Sequence, residues 1–197
     1  MTHATAFSAT LPDWLLDRAM PERLATDDDR MRFVHDLADT NWRAGNGGPF
    51  AAIVVDSQSG ELISVGVNVV LSSGLSSTHA EVVALSLAQA TLGGWDLGAE
   101  RALELVVNWR PCAMCYGATI WSGVKRLAIA GFGPECEDLT GFDEGPVRDD
   151  WREQLESRGI AVTTDVLRDG ALRTFAEYGA SGATVYNATR DRDSTAN

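Results

Sequence analysis

Two short stretches decide the fold of this chain: HAE at residues 79–81 and PCAMC at residues 111–115. They supply three side chains that bind zinc well, His79, Cys112 and Cys115, and one carboxylate, Glu81, two residues beyond the histidine. Three protein ligands leave the fourth tetrahedral position of a zinc ion open for water, as in catalytic sites. The sequence therefore predicts one zinc ion per chain, with Glu81 free to move protons for that water.

The spacing within each stretch predicts its local structure. Cysteines three residues apart place both sulfur atoms on one face of a helix, and Pro111 suits the first helical position. The residues from His79 onward are rich in helix formers, with Thr78 as the expected N-cap. Glu81 then has a competing role, because it stands three residues after Thr78, where a capping box satisfies a backbone N–H.

The cysteine pair has two alternative uses. A Cys-x-x-Cys pair also occurs in thioredoxin-like redox proteins, but here it follows the apolar run 103–107, late in the chain. A structural zinc site would need a fourth protein ligand, and Cys136 is the remaining cysteine. Cys136 lies in a loop that could reach the metal; we expect it to be a free thiol and the metal site to be open.

Composition indicates a soluble domain acting on a small molecule. The 197 residues can form one substantial core, and no apolar run approaches the roughly 20 residues that cross a bilayer. Three cysteines give no disulfide framework and the N-terminus has no leader pattern, so we expect a cytoplasmic protein with no membrane partner. The net charge of −12 disfavours a nucleic-acid polymer as main partner, because binding a polyanion draws on lysine and arginine.

Strand and helix patterns alternate along the chain. Strands are predicted at 50–55, 62–70, 102–108, 124–130 and 160–167, and helices after Thr26, at His79, at Pro111, over 147–158 and up to about Tyr178. This alternation predicts an α/β fold: a three-layer α/β/α sandwich around a mixed five-stranded sheet whose last two strands are parallel. We expect a single domain over 1–197, with a loose N-terminal arm at 1–25, a long loop at 131–146 and a C-terminal tail at 180–197, disordered around 190–193.

Several further stretches carry a family resemblance. They are Pro49-Phe50-Ala51-Ala52, Asn68-Val69-Val70, Trp121-Ser122-Gly123-Val124, Gly141-Phe142-Asp143-Glu144-Gly145-Pro146 and Tyr186-Asn187-Ala188. With the H-x-E and P-C-x-x-C segments, which mark zinc deaminases acting on nucleobases, the chain resembles the cytidine-deaminase-like superfamily and its bacterial guanine deaminase branch. The resemblance implies zinc-dependent hydrolysis of guanine to xanthine and ammonia, within purine catabolism. It also implies a homodimer in which the C-terminal tail crosses to close the partner's site.

The resemblance also implies a role for each site residue. His79, Cys112 and Cys115 hold zinc, and Glu81 carries a proton from the attacking water to the ring nitrogen beside the attacked carbon. Asn68 and the backbone N–H of Ala80 hydrogen-bond the base, Phe50 packs on its face, and Glu144 helps ammonia leave. Other roles stay open for three of them: Phe50 starts a buried strand, Asn68 can be a turn residue, and Glu144 can be a solvated charge.

One segment departs from the family pattern. A small residue, a variable one and a glutamate usually precede the Pro-Cys motif, whereas this chain has Asn108-Trp109-Arg110. Arg110 reverses a charge near the pocket wall, and Trp109 can narrow the site or stack on a ring. The alternatives are therefore an amino-purine, an amino-triazine or an anionic analogue, cytosine, or a nucleoside such as cytidine or guanosine. A tRNA adenosine deaminase and a silent zinc-stabilised binding module are the remaining alternatives.

Overall fold

The computed structural model describes residues 3–187 and is built on a five-stranded mixed sheet of order β2-β1-β3-β4-β5. The strands are β1 Ala51–Asp56, β2 Leu62–Val67, β3 Leu103–Val107, β4 Arg126–Ile129 and β5 Ala161–Thr163. Strand β1 pairs antiparallel with both β2 and β3, while β3–β4 and β4–β5 are parallel. The mixed sheet and the parallel final pair confirm the predictions from the sequence.

Eight helices lie within the described part of the chain. They are α1 Asp13–Leu16, α2 Asp27–Arg43, α3 Val70–Ser73, α4 Ala80–Leu92, α5 Ala113–Ser122, α6 Glu135–Thr140, α7 Trp151–Glu156 and α8 Arg168–Ala180. Thr26 caps α2 as predicted, since its hydroxyl accepts the Asp29 N–H at 3.1 Å. The short helices α1, α3 and α6 were not predicted, because one turn carries too little periodicity to detect.

Helices cover both faces of the sheet. Alternate residues of each strand point to opposite faces, so Ile53 and Val55 join one core while Ala52 and Val54 join the other. The first core packs against α2 and α8, and the second against α4, α5 and α7. This arrangement is the predicted three-layer α/β/α sandwich, and it explains why the strands read as continuous apolar runs.

The second half of the predicted N-terminal arm makes contacts with the sheet, while residues 3–10 are exposed and without secondary structure. Helix α1 buries Leu15, Leu24 donates its N–H to the Gly60 carbonyl at 2.8 Å, and Leu62 donates to Glu22 at 3.1 Å. Residues 15–24 therefore pack against the rest of the domain, because Leu15 and Leu24 have a core to join.

A buried ion pair fixes α2 against the sheet. Arg30 Nη1 lies 2.6 Å from Glu104 Oε2 on β3, and Arg30 Nε donates to the Leu24 carbonyl at 3.1 Å. Arg126 adds a longer contact of 3.6 Å to the other Glu104 oxygen. Because both charges are desolvated, each depends on its partner, and this pairing sets the position of α2.

No helix within residues 3–187 combines the length and apolarity needed to cross a bilayer. The end of the predicted tail, residues 188–197 with Ala188 and the 190–193 charge run, lies outside the described residues.

Candidate active site

The beginnings of α4 and α5 meet at one edge of the sheet and bring three metal-binding side chains together. His79 is the N-cap of α4, Cys112 is the N-cap of α5, and Cys115 follows in the first turn of α5. Their ligand atoms all lie within 4.8 Å of one another, and His79 Nδ1 is 3.5 Å from Cys112 Sγ. One nitrogen and two sulfur donors at this separation fit a zinc ion, with the fourth position left to water.

The two helices start slightly later than predicted. Thr78 is not the N-cap of α4; its hydroxyl donates instead to the Leu75 carbonyl at 2.7 Å. The capping-box role of Glu81 is therefore wrong. Pro111 likewise stands before the N-cap of α5 rather than at its first position, so Cys112 provides its sulfur from a non-helical backbone.

A glycine lets α4 approach the sheet closely enough to place His79. A Cβ atom at Gly66 on β2 would lie 2.2 Å from the Ala80 carbonyl oxygen and 2.4 Å from the Ala84 nitrogen. A larger residue would push the beginning of α4 outward, taking His79 away from the two cysteines.

The ligands are electrostatically prepared for a metal. The hydrogen bond from Cys115 is the main cause that lowers the pKa of Cys112 to about 4, with His79 adding to it against the effect of burial. Donating to Cys112 raises the pKa of Cys115, as does its own burial. Burial alone would lower the pKa of His79, but the Cys112 hydrogen bond and the negative charges of Glu81, Cys112 and Glu144 together raise it overall. One thiolate is thus present before zinc arrives, and zinc binding would release the other proton.

Glu81 lies in the first turn of α4, two residues after His79, and is only 6% exposed. Burial, helped by the Cys112 charge, raises the pKa of Glu81 to about 6. Bound zinc would oppose this rise through its positive charge. A carboxyl group with a pKa close to neutrality accepts and returns a proton readily, which suits a general base that later acts as an acid.

Glu144 is held by its backbone beside the zinc helix. Its carbonyl accepts the Ala113 N–H of α5 at 2.9 Å, and its own N–H donates to Glu137 Oε1 at 2.9 Å. Burial is the main cause that raises the pKa of the Glu144 carboxyl to about 8, with the Cys112 and Glu81 charges adding to it. The structure therefore places Glu144 in the wall of the site and not among solvated loop charges.

A cavity of about 130 Å³ lies against these groups. It is lined by Phe50, Asn68, Ser76, His79, Glu81, Val107, Trp109, Arg110, Cys112, Phe142, Asp143, Glu144, Tyr186 and Asn187. The predicted binding residues Phe50 and Asn68 are thus in the wall. Ala80 is buried and is not among the lining residues, although the N–H groups of a first helical turn have no acceptor within their helix.

Asn68 and Phe50 each have the structural role that the sequence offered and also lie in the cavity wall, where their predicted contacts to a base stay a prediction. Asn68 Oδ1 accepts the Val70 N–H at 3.2 Å, as a turn residue would, while the side chain also lines the cavity. Phe50 packs on Phe142 and Phe175, each with ring centroids 5.6 Å apart, and presents part of its surface to the cavity.

Residues 141–143 of the long loop and residues 186–187 of the tail together form a cover over the cavity. The sequence predicted this cover only in outline. Tyr186 packs on Phe142 with centroids 4.8 Å apart, and its hydroxyl accepts the Gly48 N–H at 3.1 Å. Asn187 accepts from the Asp143 N–H at 3.1 Å and donates to the Gly141 carbonyl at 2.7 Å. Phe142 was not singled out from the sequence. For the cover, the available signal in the sequence was Tyr186, a large aromatic residue in a tail of otherwise small and polar residues.

Cys136 lies outside the ligand group. Its sulfur is buried 4.0 Å from Glu144 Oε1, and of the His, Cys, Asp and Glu side chains in residues 3–187 only the three predicted ligands cluster closely enough to hold a metal. The fourth zinc position therefore receives no cysteine in this arrangement.

Comparison with known proteins gives a consistent assignment. The cytidine and deoxycytidylate deaminase zinc-binding region matches residues 24–130. A guanine deaminase from Bacillus subtilis is 33% identical over 124 residues, covering 63% of this chain and 76% of the relative. A tRNA-specific adenosine deaminase from Buchnera aphidicola is 37% identical over 130 residues, covering 66% of this chain and 79% of the relative.

Solved structures extend the similarity to most of the chain. The structure of the guanine deaminase from Nitrosomonas europaea is 44% identical with a TM-score of 0.85, covering 91% of this chain and 100% of that chain. The structure of NE0047 in complex with 2,6-diaminopurine is 46% identical with a TM-score of 0.86, covering 93% and 97%. With its zinc ligands in place and more than half of its length matching the family model, this chain belongs to the cytidine and deoxycytidylate deaminase zinc-binding family.

Proposed function

We propose that this protein hydrolyses guanine to xanthine and ammonia with zinc as its cofactor. The observation that carries the proposal is one small cavity beside the three metal ligands that is lined by two carboxyl groups, the buried Glu81 and the half-buried Glu144. Similarity to guanine deaminases over nearly the whole chain supports guanine as the substrate. A silent binding module would have no use for Glu81, because this carboxylate is neither a capping residue nor part of the ligand group.

The chemistry divides between the two carboxyl groups. Zinc, when bound, makes water nucleophilic at neutral pH. Glu81 would take a proton from the attacking water and pass it to the ring nitrogen beside C2 of guanine. Glu144, whose raised pKa keeps its carboxyl group protonated near neutrality, would give a proton to the departing amine and regain one from the hydroxyl group on C2 as the carbonyl of xanthine forms. One water is consumed and one ammonia leaves for each guanine converted.

The cover above the cavity supports a free base over a nucleoside. Phe142, Tyr186 and Asn187 line a space of about 130 Å³; Tyr186 packs on Phe142, and Asn187 bonds to the backbone of Gly141 and Asp143 on either side of Phe142. Closure of this kind excludes water and strengthens polar contacts to the base. It also leaves little room for a ribose, and still less for a tRNA stem.

A substrate panel tests this function. Ammonia release is measured with guanine, guanosine, cytosine, cytidine and an amino-triazine at equal concentrations, and xanthine is followed by absorbance. We expect guanine to react well and guanosine poorly. Preference for cytidine would contradict the guanine assignment while preserving the zinc deaminase chemistry.

We also propose a homodimer. Helix α5, which carries Cys115, presents Met114 and Trp121 to solvent, 39% and 81% exposed, and no atom lies near the Cβ position of Gly117 between them. This apolar stripe suits a second copy of the chain. Tail exchange is part of the proposal: Tyr186 and Asn187 would make in the partner the contacts that they make here within one chain.

Sedimentation of the wild type and of Trp121→Glu tests the dimer. We expect twice the 21.1 kDa chain mass for the wild type and a single-chain mass for the variant. A monomeric wild type at micromolar concentration would contradict the homodimer.

We further propose a cytoplasmic location, because the two ligating thiols must stay reduced. We also propose a role in purine catabolism, because the product is a purine.

A further inference from the structure

Among the described residues that line the cavity, Arg110 is the one arginine or lysine. It shares the cavity wall with the acidic side chains of Glu81, Asp143 and Glu144. Within residues 3–187, no carboxylate lies within ion-pair distance of its guanidinium, and its buried Nε–H has no acceptor. A cation without a partner in a ligand cavity is a binding group for an acceptor or an anion.

The backbone around Arg110 is fixed by hydrogen bonds, so its side chain starts from a defined point in the cavity wall. The Arg110 N–H donates to the Gly131 carbonyl at 2.9 Å. The preceding Asn108 accepts the Ala51 N–H at 3.2 Å and donates to the Pro49 carbonyl at 2.9 Å, while Cys112 follows as a ligand. The positive charge of Arg110 lowers the pKa of Glu144, although the stronger effect of burial raises that pKa overall.

Resting on the function proposed above, we infer that Arg110 is a specificity-determining residue that admits bases in their deprotonated, anionic form. The acidic side chains in the same cavity wall would otherwise repel such a base, and the guanidinium offsets part of that repulsion. The substrate class extends from guanine to amino-heterocycles that lose a ring proton near neutral pH. The same contact would hold the anionic form of the xanthine product.

The probe is 8-azaguanine, in which a ring nitrogen replaces C8 and makes the ring N–H more acidic than in guanine. We compare kcat/KM for guanine and 8-azaguanine at a pH where only 8-azaguanine is anionic. Arg110→Met removes the charge at similar length, and Arg110→Lys keeps it. Arg32→Met removes a matched charge from the exposed surface of α2, where Arg32 pairs with Asp28.

We expect Arg110→Met to lose about tenfold more kcat/KM with 8-azaguanine than with guanine, the order expected for one charge contact in a cavity. Arg110→Lys should keep the wild-type preference, and Arg32→Met should change nothing. Equal losses on both bases, or no loss on either, would overturn the inference. If the wild type does not deaminate guanine, the proposed function is wrong, but the inference about Arg110 is still testable. In that case the affinity of 8-azaguanine for the wild type and for Arg110→Met, measured by calorimetry, decides the role of Arg110.

Discussion

Replacing Glu81 by glutamine is expected to lower kcat by roughly two to four orders of magnitude, the usual cost of removing a positioned proton carrier. The amide has nearly the same shape but cannot take a proton from water. Because Glu81 lies outside the ligand group, zinc should remain at one per chain. Elemental analysis and ammonia release measured on the same preparation check both halves of this expectation.

The control is Glu100→Gln, which makes the same chemical change at an exposed residue of the α4–β3 connection. It should match the wild type in zinc content and turnover. Full activity in Glu81→Gln would show that another group moves the proton, and loss of its metal would show that Glu81 supports the zinc site. Either result would end the assignment of Glu81 as the acid and base.

The zinc ligands could be predicted from the sequence because their chemistry is local. Cys112 and Cys115 are brought together by one helix turn, and His79 needed only a second helix start at the same sheet edge. The exact helix starts could not be predicted, because Thr78 and Pro111 both have good local propensities for positions that tertiary packing assigns to their neighbours.

The cover of the site depends on contacts between residues distant in the sequence, so it was harder to predict than the zinc ligands. The loop predicted at 131–146 contains helix α6, and Glu137 on that helix accepts the Glu144 N–H. Asn187 reaches Asp143 across 44 positions. No periodicity links such residues, so only the family resemblance indicated that the loop and the tail belong to the site.

Of the residues that depart from the family pattern before the Pro-Cys motif, Trp109 and Arg110 have different positions in the structure. Trp109 is nearly fully buried, stacks edge-to-face on Phe175 with centroids 5.3 Å apart and lies under the Arg168 guanidinium at 4.8 Å. It therefore supports the cavity wall mainly as a core residue. Arg110 has no ion-pair partner among residues 3–187 and lies in the cavity wall, so the specificity question raised by the sequence centres on this one side chain.

Replacing Cys115 by serine is expected to abolish zinc binding and, with it, all measurable deamination. Cys115 is fully buried, and a neutral hydroxyl is a poor substitute for a thiolate ligand. His79 and Cys112 would remain as a two-ligand site, too weak to hold zinc against a chelator. Zinc content after dialysis should fall from one per chain to near zero, and the thermal midpoint of the variant should no longer respond to chelator.

Cys136→Ser is the matched control, because it makes the same substitution at another fully buried cysteine, 4.0 Å from Glu144 Oε1. It should retain zinc and turnover, although packing around the new hydroxyl can lower its thermal midpoint. Zinc loss in Cys136→Ser would mean that a fourth protein ligand closes the site in the metal-bound protein. A closed site leaves no position for water, so that single result would remove the basis for hydrolysis at this centre and not merely reassign one residue.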